Sequence, residues 1–462
     1  MKRDIKINTI VEIISKMVGF LFTVIISRLF GAQSLGIVTS TQAIVGYIYL
    51  LGDFGTNTEA VRRISKNNNK AHKVYSIVST IRLVIMFLVV ALILIIFQLT
   101  NDWIFLLLSI VSIITLLIPN YLFMGLMLFR YNAYVNLITM ISTLVCFFIL
   151  LNFYYSVIIY PVSLLIGSIL GLVVSYVFVF RSIGRPKFVS CKIELGDFYK
   201  KTIYLGMTVV FARIYYDFDI ILLRYMRTSL EVGLYSAAFK VIQVLWFIPA
   251  LYTTYALPYT TKLIHDNRQS VSSYINKALR YIIIFISITG VIGIFYSSEI
   301  LVFLYGNSFS SASLAFVVLL IGYCLMFIKT LFGNLLVALR DERYLFILSV
   351  IGSIFNIVLN IFLIPYLGIL GAAFATLLTE FILLSLEFRR VKKNFICRLP
   401  WVTIIKTFVA AGVLIILLTI YKPYLFFGVF ISILIYIILL FLLKEEAITS
   451  HILNKIIINK EV

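Results

Sequence analysis

Charge is what this sequence has least of. Only 13% of its 462 residues are Asp, Glu, Lys or Arg, about half the share of an ordinary soluble domain. A soluble surface needs such residues to stay hydrated, so an ordinary soluble fold is excluded. Histidine and cysteine are also sparse. His72, His265 and His451 fall in connecting or terminal segments, which argues against a histidine-based metal centre. Cys146, Cys191, Cys324 and Cys397 lie far apart, with neither ligand spacing nor a disulfide framework, and read as free thiols. No ATP motif is present, and no loop is much longer than about twenty residues, which leaves no room for a soluble catalytic domain. The first apolar stretch carries Glu12, Lys16 and Arg28 and lacks a small-residue cleavage site after it, so a retained helix is expected rather than a signal peptide.

What the chain has in abundance is apolar sequence, with 62% hydrophobic residues. Only a bilayer supplies enough apolar solvent for that surface, at about 20 mostly apolar residues per helical span. Such runs lie near 8–29, 35–53, 75–97, 103–124, 133–152, 156–180, 202–224, 232–255, 279–297, 313–335, 344–364, 368–388, 401–420 and 424–443. An all-α integral membrane protein of about fourteen spans is therefore predicted.

Lys and Arg outnumber Asp and Glu by 39 to 19. In a soluble protein that excess would suggest nucleic acid, but membrane topology explains it here and no nucleic-acid partner is expected. With the N-terminus inside, the inner segments hold 28 basic residues and the outer segments three, Arg224, Arg227 and Lys422. Basic residues gather in cytoplasmic loops, so both termini are predicted to be cytoplasmic.

Two echoes suggest an internal repeat. Ser34-Leu35-Gly36 follows the first span and Glu231-Val232-Gly233 the seventh, and Leu128-Phe129-Arg130 is answered by Ala338-Leu339-Arg340. Both are separated by about 200 residues, the mark of a duplicated bundle. The division expected is a six-helix lobe at 1–200, a second at 201–398 in parallel repeat, and two added helices with a cytoplasmic tail at 399–462. Two facing lobes imply a cavity where a transporter would hold cargo.

A charge near the bilayer centre costs about 2.5–3.5 kcal/mol on insertion scales, so it should face protein or water. The deeper basic residues are Lys16, Arg82, Arg213, Lys240 and Lys329, and the deeper acids Glu12, Asp217, Asp219 and Glu380. Glu12 with Lys16, and Arg213 with Asp217, stand four apart and can neutralise each other along one helix. Arg82, Lys240 and Lys329 have no acid at helical spacing and are the leading candidates for facing an anion. Arg28, Arg224, Arg280 and Lys406 lie near span ends, where long side chains reach the headgroups. The dense aromatic stretch Phe211, Tyr215, Tyr216, Phe218 and Tyr225 fits interfacial packing or a sugar-stacking face. Pro249 and Pro258 flank the cytoplasmic end of span eight, where a kink or a helix end is expected, and simple termination is favoured over a gate.

The Ser27-Arg28-Leu29-Phe30-Gly31 stretch, Gly52-Asp53-Phe54-Gly55 leading to Val61-Arg62-Arg63-Ile64, and Gly233-Leu234-Tyr235-Ser236-Ala237-Ala238 resemble the polysaccharide-exporter branch of the MOP flippase superfamily. So do Leu304-Tyr305-Gly306 and the series Gly352, Asn356, Asn360, Ile364-Pro365, Gly368, Gly371-Ala372-Ala373, Thr376 and Glu380. The resemblance covers nearly the whole chain and rests on the ordered series. It implies a Wzx-type flippase of the bacterial inner membrane, moving an undecaprenyl-pyrophosphate-linked oligosaccharide for O-antigen, capsule or exopolysaccharide to the outer leaflet by alternating access. It implies no bound cofactor, coupling to H+ or Na+, and a polysaccharide polymerase and chain-length regulator as partners besides bilayer lipid. Carried onto this sequence, Lys16, Arg28, Arg82, Arg213, Lys240 and Lys329 are the cargo candidates, and Asp217 and Glu380 the ion-coupling candidates.

The rival readings are a multidrug or metabolite antiporter of the same superfamily, which would expose acids to cationic cargo, and a flippase for the peptidoglycan lipid precursor. A membrane glycosyltransferase or polymerase would need a long extracytoplasmic loop or clustered catalytic carboxylates, and the sequence has neither, so no enzyme is expected.

Overall fold

The computed structural model describes residues 2–182, 184, 192–266, 268–421, 423–447 and 449. Those residues are helical almost throughout, with no strand among them. His451 and Cys191 lie outside the described residues, and Cys146, Cys324 and Cys397 are free thiols. Burial raises the pKa of the Cys397 thiol, with Lys392 pulling it down.

Among the described residues, twelve helices are long and apolar enough to cross a membrane. The sequence predicted about fourteen spans, and the difference has two local causes. The first two expected spans run together as α1 (Lys2–Asp53), which breaks only at Gly31, where φ is 77°. That is left-handed backbone, which glycine adopts without the clash a Cβ brings. The seventh expected span is α8 (Lys192–Met226). It carries Arg213, Asp217 and Asp219 and is not among the twelve.

The chain forms two compact units, Met1–Gly233 and Leu234–Val462. In the first, α1 packs on α4 (Trp103–Leu117), α6 (Phe129–Leu151) and α8, and α6 packs along α7 (Ile159–Ser182). The turn Asp53-Phe54-Gly55 leads into the short α2 (Thr56–Lys66), which packs against α3 (Ala71–Thr100) and α5 (Asn120–Gly125). Ile64, Val78, Phe123 and Phe198 are buried in the apolar core there. Small residues let helices close up: Gly167 and Gly171 on α7 lie against Thr143 and Thr139 on α6.

Gly36 and Gly233, the two glycines of the repeat, meet within this unit. A Cβ on Gly36 would strike the Ser229 carbonyl and come within 2.7 Å of the Gly233 nitrogen, and one on Gly233 would strike the Ala32 carbonyl. The echo therefore marks a backbone-to-backbone approach that only glycine permits.

In the second unit α9 (Ser229–Leu245) ends and α10 (Phe247–Asp266) begins across a break at Trp246, so expected span eight is two helices. Pro249 has no N–H to give the Leu245 carbonyl, which is its i−4 partner. The central pair is α13 (Ser313–Ala338) against α15 (Ile369–Lys392), flanked by α10, α11 (Arg268–Phe295) and α14 (Glu342–Leu367). The short α12 (Ser297–Tyr305) precedes α13. The last two helices, α16 (Trp401–Tyr421) and α17 (Leu425–Leu442), pack on α11 through Ala410, Leu414, Leu418, Tyr436 and Leu440. Their junction is tied by the buried Glu445, which accepts from Thr403 at 2.7 Å and lies 3.6 Å from Lys406 Nζ.

Apolar side chains face outward on many of these helices, among them Phe87 and Leu88 on α3, Phe408 on α16 and Phe430 on α17. An apolar surface of that extent is solvated by lipid and not by water. The protein is a multi-pass membrane protein.

Candidate functional site

The membrane-embedded charges fall into three clusters. In the first unit Arg82, on α3, is buried and fully engaged. Its Nη2 lies 2.7 Å from Asp53 Oδ1 and donates to Asn57 Oδ1 at 2.9 Å and Thr56 Oγ1 at 3.2 Å. Nε also reaches Thr56 Oγ1 at 3.3 Å, Nη1 takes the Leu116 carbonyl, and the guanidinium stacks over Tyr121. Asp53 in turn accepts from Thr56 Oγ1 and from the Asn57 amide. The arrangement clamps the α1–α2 turn, where Phe54 and Gly55 both adopt positive φ, onto α3 and the end of α4.

Arg213 and Asp217 on α8 form the ion pair expected from their spacing. The arginine is 40% exposed and the aspartate 15%, so the cation is the more exposed partner. Its guanidinium lies against Gly46 of α1, where a Cβ would come to about 3.0 Å from its central carbon. Asp219 is buried and accepts from the Ile220 amide. Tyr47 presents a buried hydroxyl to the same charges.

In the second unit Lys329 on α13 and Glu380 on α15 pair at 2.7 Å, with side chains 14% and 4% exposed. The lysine had no acid on its own helix because its acid stands on the neighbour. Glu387 lies on the same face of α15 two turns along, as the i, i+7 spacing requires. Glu387 stands at the edge of the apolar run 368–388, so its place in the sequence gives no sign of its burial.

Lys16 is exposed on α1. Glu12 accepts instead from Asn8 at 2.8 Å, and Asn8 from Asn132 at 2.9 Å, so the Glu12–Lys16 pairing does not form. Arg28 is exposed one turn before the Gly31 break. Lys240 donates to Gln243 at 2.9 Å. Of the residues near span ends, Arg224 bonds Ser229, Arg280 pairs with Glu446, and Lys406 donates to the Lys444 carbonyl at 2.7 Å. The side chains of Phe211, Tyr215 and Tyr216 lie outside the described residues. Among the described residues no group of His, Cys, Asp and Glu is placed to hold a metal ion.

Residues 1–264, more than half of the chain, match the family described as polysaccharide biosynthesis protein. The chain belongs to that family. It is 24% identical over 368 residues to a Haloferax volcanii protein described as a probable low-salt glycan biosynthesis flippase, Agl15, covering 78% of this chain and 77% of the relative. The fold is similar to that of lipid II flippase MurJ in an inward closed conformation, with a TM-score of 0.73 at 18% identity over 94% of this chain and 97% of that one. It is also similar to an inward-facing multidrug resistance MATE family transporter of the MOP superfamily, with a TM-score of 0.65 at 11% identity over 82% and 95% of the two chains. Family membership thus comes from the sequence, and the solved flippase and transporter structures show that the chain shares their fold.

In the Arg213–Asp217 and Lys329–Glu380 pairs the acid is the more buried member.

Proposed function

We propose that the protein is a flippase that carries an undecaprenyl-pyrophosphate-linked oligosaccharide from the inner to the outer leaflet of a bacterial plasma membrane, with both termini in the cytoplasm. The repeat unit would serve O-antigen, capsule or exopolysaccharide assembly. Family membership supports the polysaccharide context, and the Haloferax relative described as a glycan flippase supports the type of movement.

The observation that carries the choice of cargo is the more exposed cation of the Arg213–Asp217 pair, together with the exposed Lys16 on α1. Charge-assisted hydrogen bonds to phosphate are stronger than neutral ones, and a pyrophosphate is the one strongly anionic group on a lipid-linked glycan. A transporter of cationic drugs would present the reverse polarity. Arg28 and Lys240 add to the basic character of the two units, and Lys329 and Glu380 form a pair suited to ion coupling. Arg82, saturated by its own neighbours, holds the first unit together.

The reading is tested in proteoliposomes that contain purified protein and a fluorescent undecaprenyl-pyrophosphate-linked oligosaccharide, by following its exposure to an outside quencher. Protein-dependent exposure is the expected result. Cells that lack the gene should accumulate the lipid-linked repeat inside. Unchanged glycan export in such cells, combined with sensitivity to cationic drugs, would replace this reading with the antiporter.

A further inference from the structure

We propose that Glu387, Glu380 and Lys329 form a proton-binding site in the second unit, in which Glu387 holds the exchangeable proton. As the coupling site of the flippase proposed above it rests on that reading, whereas proton binding itself does not.

The site is built by two packed helices. Lys329 and Gly333 stand one turn apart on α13, and Glu380 and Glu387 stand two turns apart on α15. The Lys329 ammonium is 2.7 Å from Glu380 Oε2. The Glu387 carboxylate lies over Gly333, where an added Cβ would stand 3.3 Å from Oε2. A glycine there leaves the carboxyl group room against the backbone of the facing helix.

Glu387 is 6% exposed, and its Oε2 is buried without a hydrogen-bond partner. Leu384, Phe388, Phe332 and Val391 belong to the apolar cluster around this part of α15. An ionised carboxylate in such surroundings keeps its charge only if it is paired. The charged and titratable groups near enough to act electrostatically on Glu387 include Lys329 from α13, Glu380 on its own helix and Tyr344 from α14. One lysine therefore serves two acids, and Glu380 already holds it.

One bound proton removes the surplus negative charge, and a metal ion fits the site worse. Sodium needs several oxygen ligands and would sit beside the Lys329 ammonium, whereas a proton needs a single carboxylate oxygen and leaves the Lys329–Glu380 pair intact. The step is a protonation alone. A proton from water forms the Glu387 O–H bond, and breaking that bond returns it to water. Once deprotonated, Glu387 competes with Glu380 for Lys329, so loading and unloading alter the contact between α13 and α15.

The test uses the full-length protein in lipid nanodiscs and the infrared C=O stretch of protonated carboxyl groups. At neutral pH the wild type should show a buried carboxyl band that fades as the pH is raised. The band should be lost in Glu387→Gln, shifted but kept in Glu387→Asp, and unaffected in Glu12→Gln. No such band in the wild type, or an unchanged band in Glu387→Gln, overturns the proposal. So does loss of the band on replacing choline with sodium at constant pH, because a metal ion would then be the ligand. Monodisperse elution establishes that the variants are folded, and Glu387→Asp carries the test if the glutamine variant is not. In proteoliposomes an imposed pH gradient should accelerate flipping by the wild type and leave Glu387→Gln unresponsive. A wild type with the band but no glycan flipping under any gradient would sink the flippase reading while the proton site stands.

Discussion

The Tyr323 hydroxyl donates to the Leu245 carbonyl at 3.1 Å, and that carbonyl is the one Pro249 cannot serve. α9 stops at Leu245 and α10 starts at Phe247, so the proline sits in the first turn of the new helix. An orphaned carbonyl at membrane depth must be met from elsewhere. Tyr323, fully buried on α13, reaches across to do it.

Tyr323→Phe should therefore destabilise the second unit by about 1–3 kcal/mol, the range for leaving one buried polar group unpaired. Pro249→Ala restores an N–H at that position and should reduce the penalty, so the double variant should be less impaired than the two single effects predict. Thermal unfolding of the four proteins in one detergent measures this coupling. Strictly additive effects would mean that the tyrosine and the proline act independently.

Arg82→Gln should be far more damaging, because the half-buried Asp53 would remain beside Thr56 and Asn57 without its cation. Removing one partner of a buried pair costs about 3–5 kcal/mol. We expect loss of folded protein on size exclusion in detergent, with transport falling in step with yield. If Arg82→Gln is well folded and monodisperse but inactive, the arginine acts on cargo and not on the fold.

Much of this organisation was legible in the sequence, and the reasons for the gaps are physical. Hydrophobic runs located nearly every helix, because lipid demands continuous apolar length. The break at Gly31 was visible as a gap between spans one and two, but not that helix would continue on both sides of a single left-handed residue. The i, i+4 rule found Arg213 with Asp217, since both lie on one helix. It had no means of finding Asp53 for Arg82 or Glu380 for Lys329, whose partners arrive from another helix 29 and 51 residues away in sequence. The same spacing rule anticipated a Glu12–Lys16 pair that Asn8 forestalls by taking the carboxylate. Glu387 escaped notice because it stands at the edge of its apolar run, where nothing in the sequence signals its burial.

Gly36→Ala and Gly233→Ala should each impair the first unit, although alanine is the milder helix residue in an open setting. At both positions the obstacle is a backbone carbonyl, which cannot rotate away as a flexible side chain could. Overpacking of this type costs about 1–3 kcal/mol. Gly19→Ala on the same helix meets no neighbour and should be neutral or slightly stabilising. Melting temperatures of the three variants decide the matter, and equal values would show that the close approach carries no energetic weight.

The cargo reading makes an asymmetric prediction at Arg213 and Asp217. Arg213 is the exposed partner, so Arg213→Gln removes a donor that a pyrophosphate would meet. A hydrogen bond to a charged group contributes about 1.5–3 kcal/mol, which corresponds to at least a tenfold rise in the concentration of lipid-linked glycan needed for half-maximal flipping. Asp217→Asn takes away the competing anion and frees the guanidinium, so apparent affinity should hold or improve even if turnover slows. Arg213→Lys keeps the charge but loses the forked geometry and should fall between wild type and Arg213→Gln. Initial flipping rates as a function of glycan concentration in proteoliposomes separate the two effects. Equal weakening in Arg213→Gln and Asp217→Asn would mean that the ion pair matters only as a structural unit, and the anion would then have to be met by Lys16 or by other basic residues.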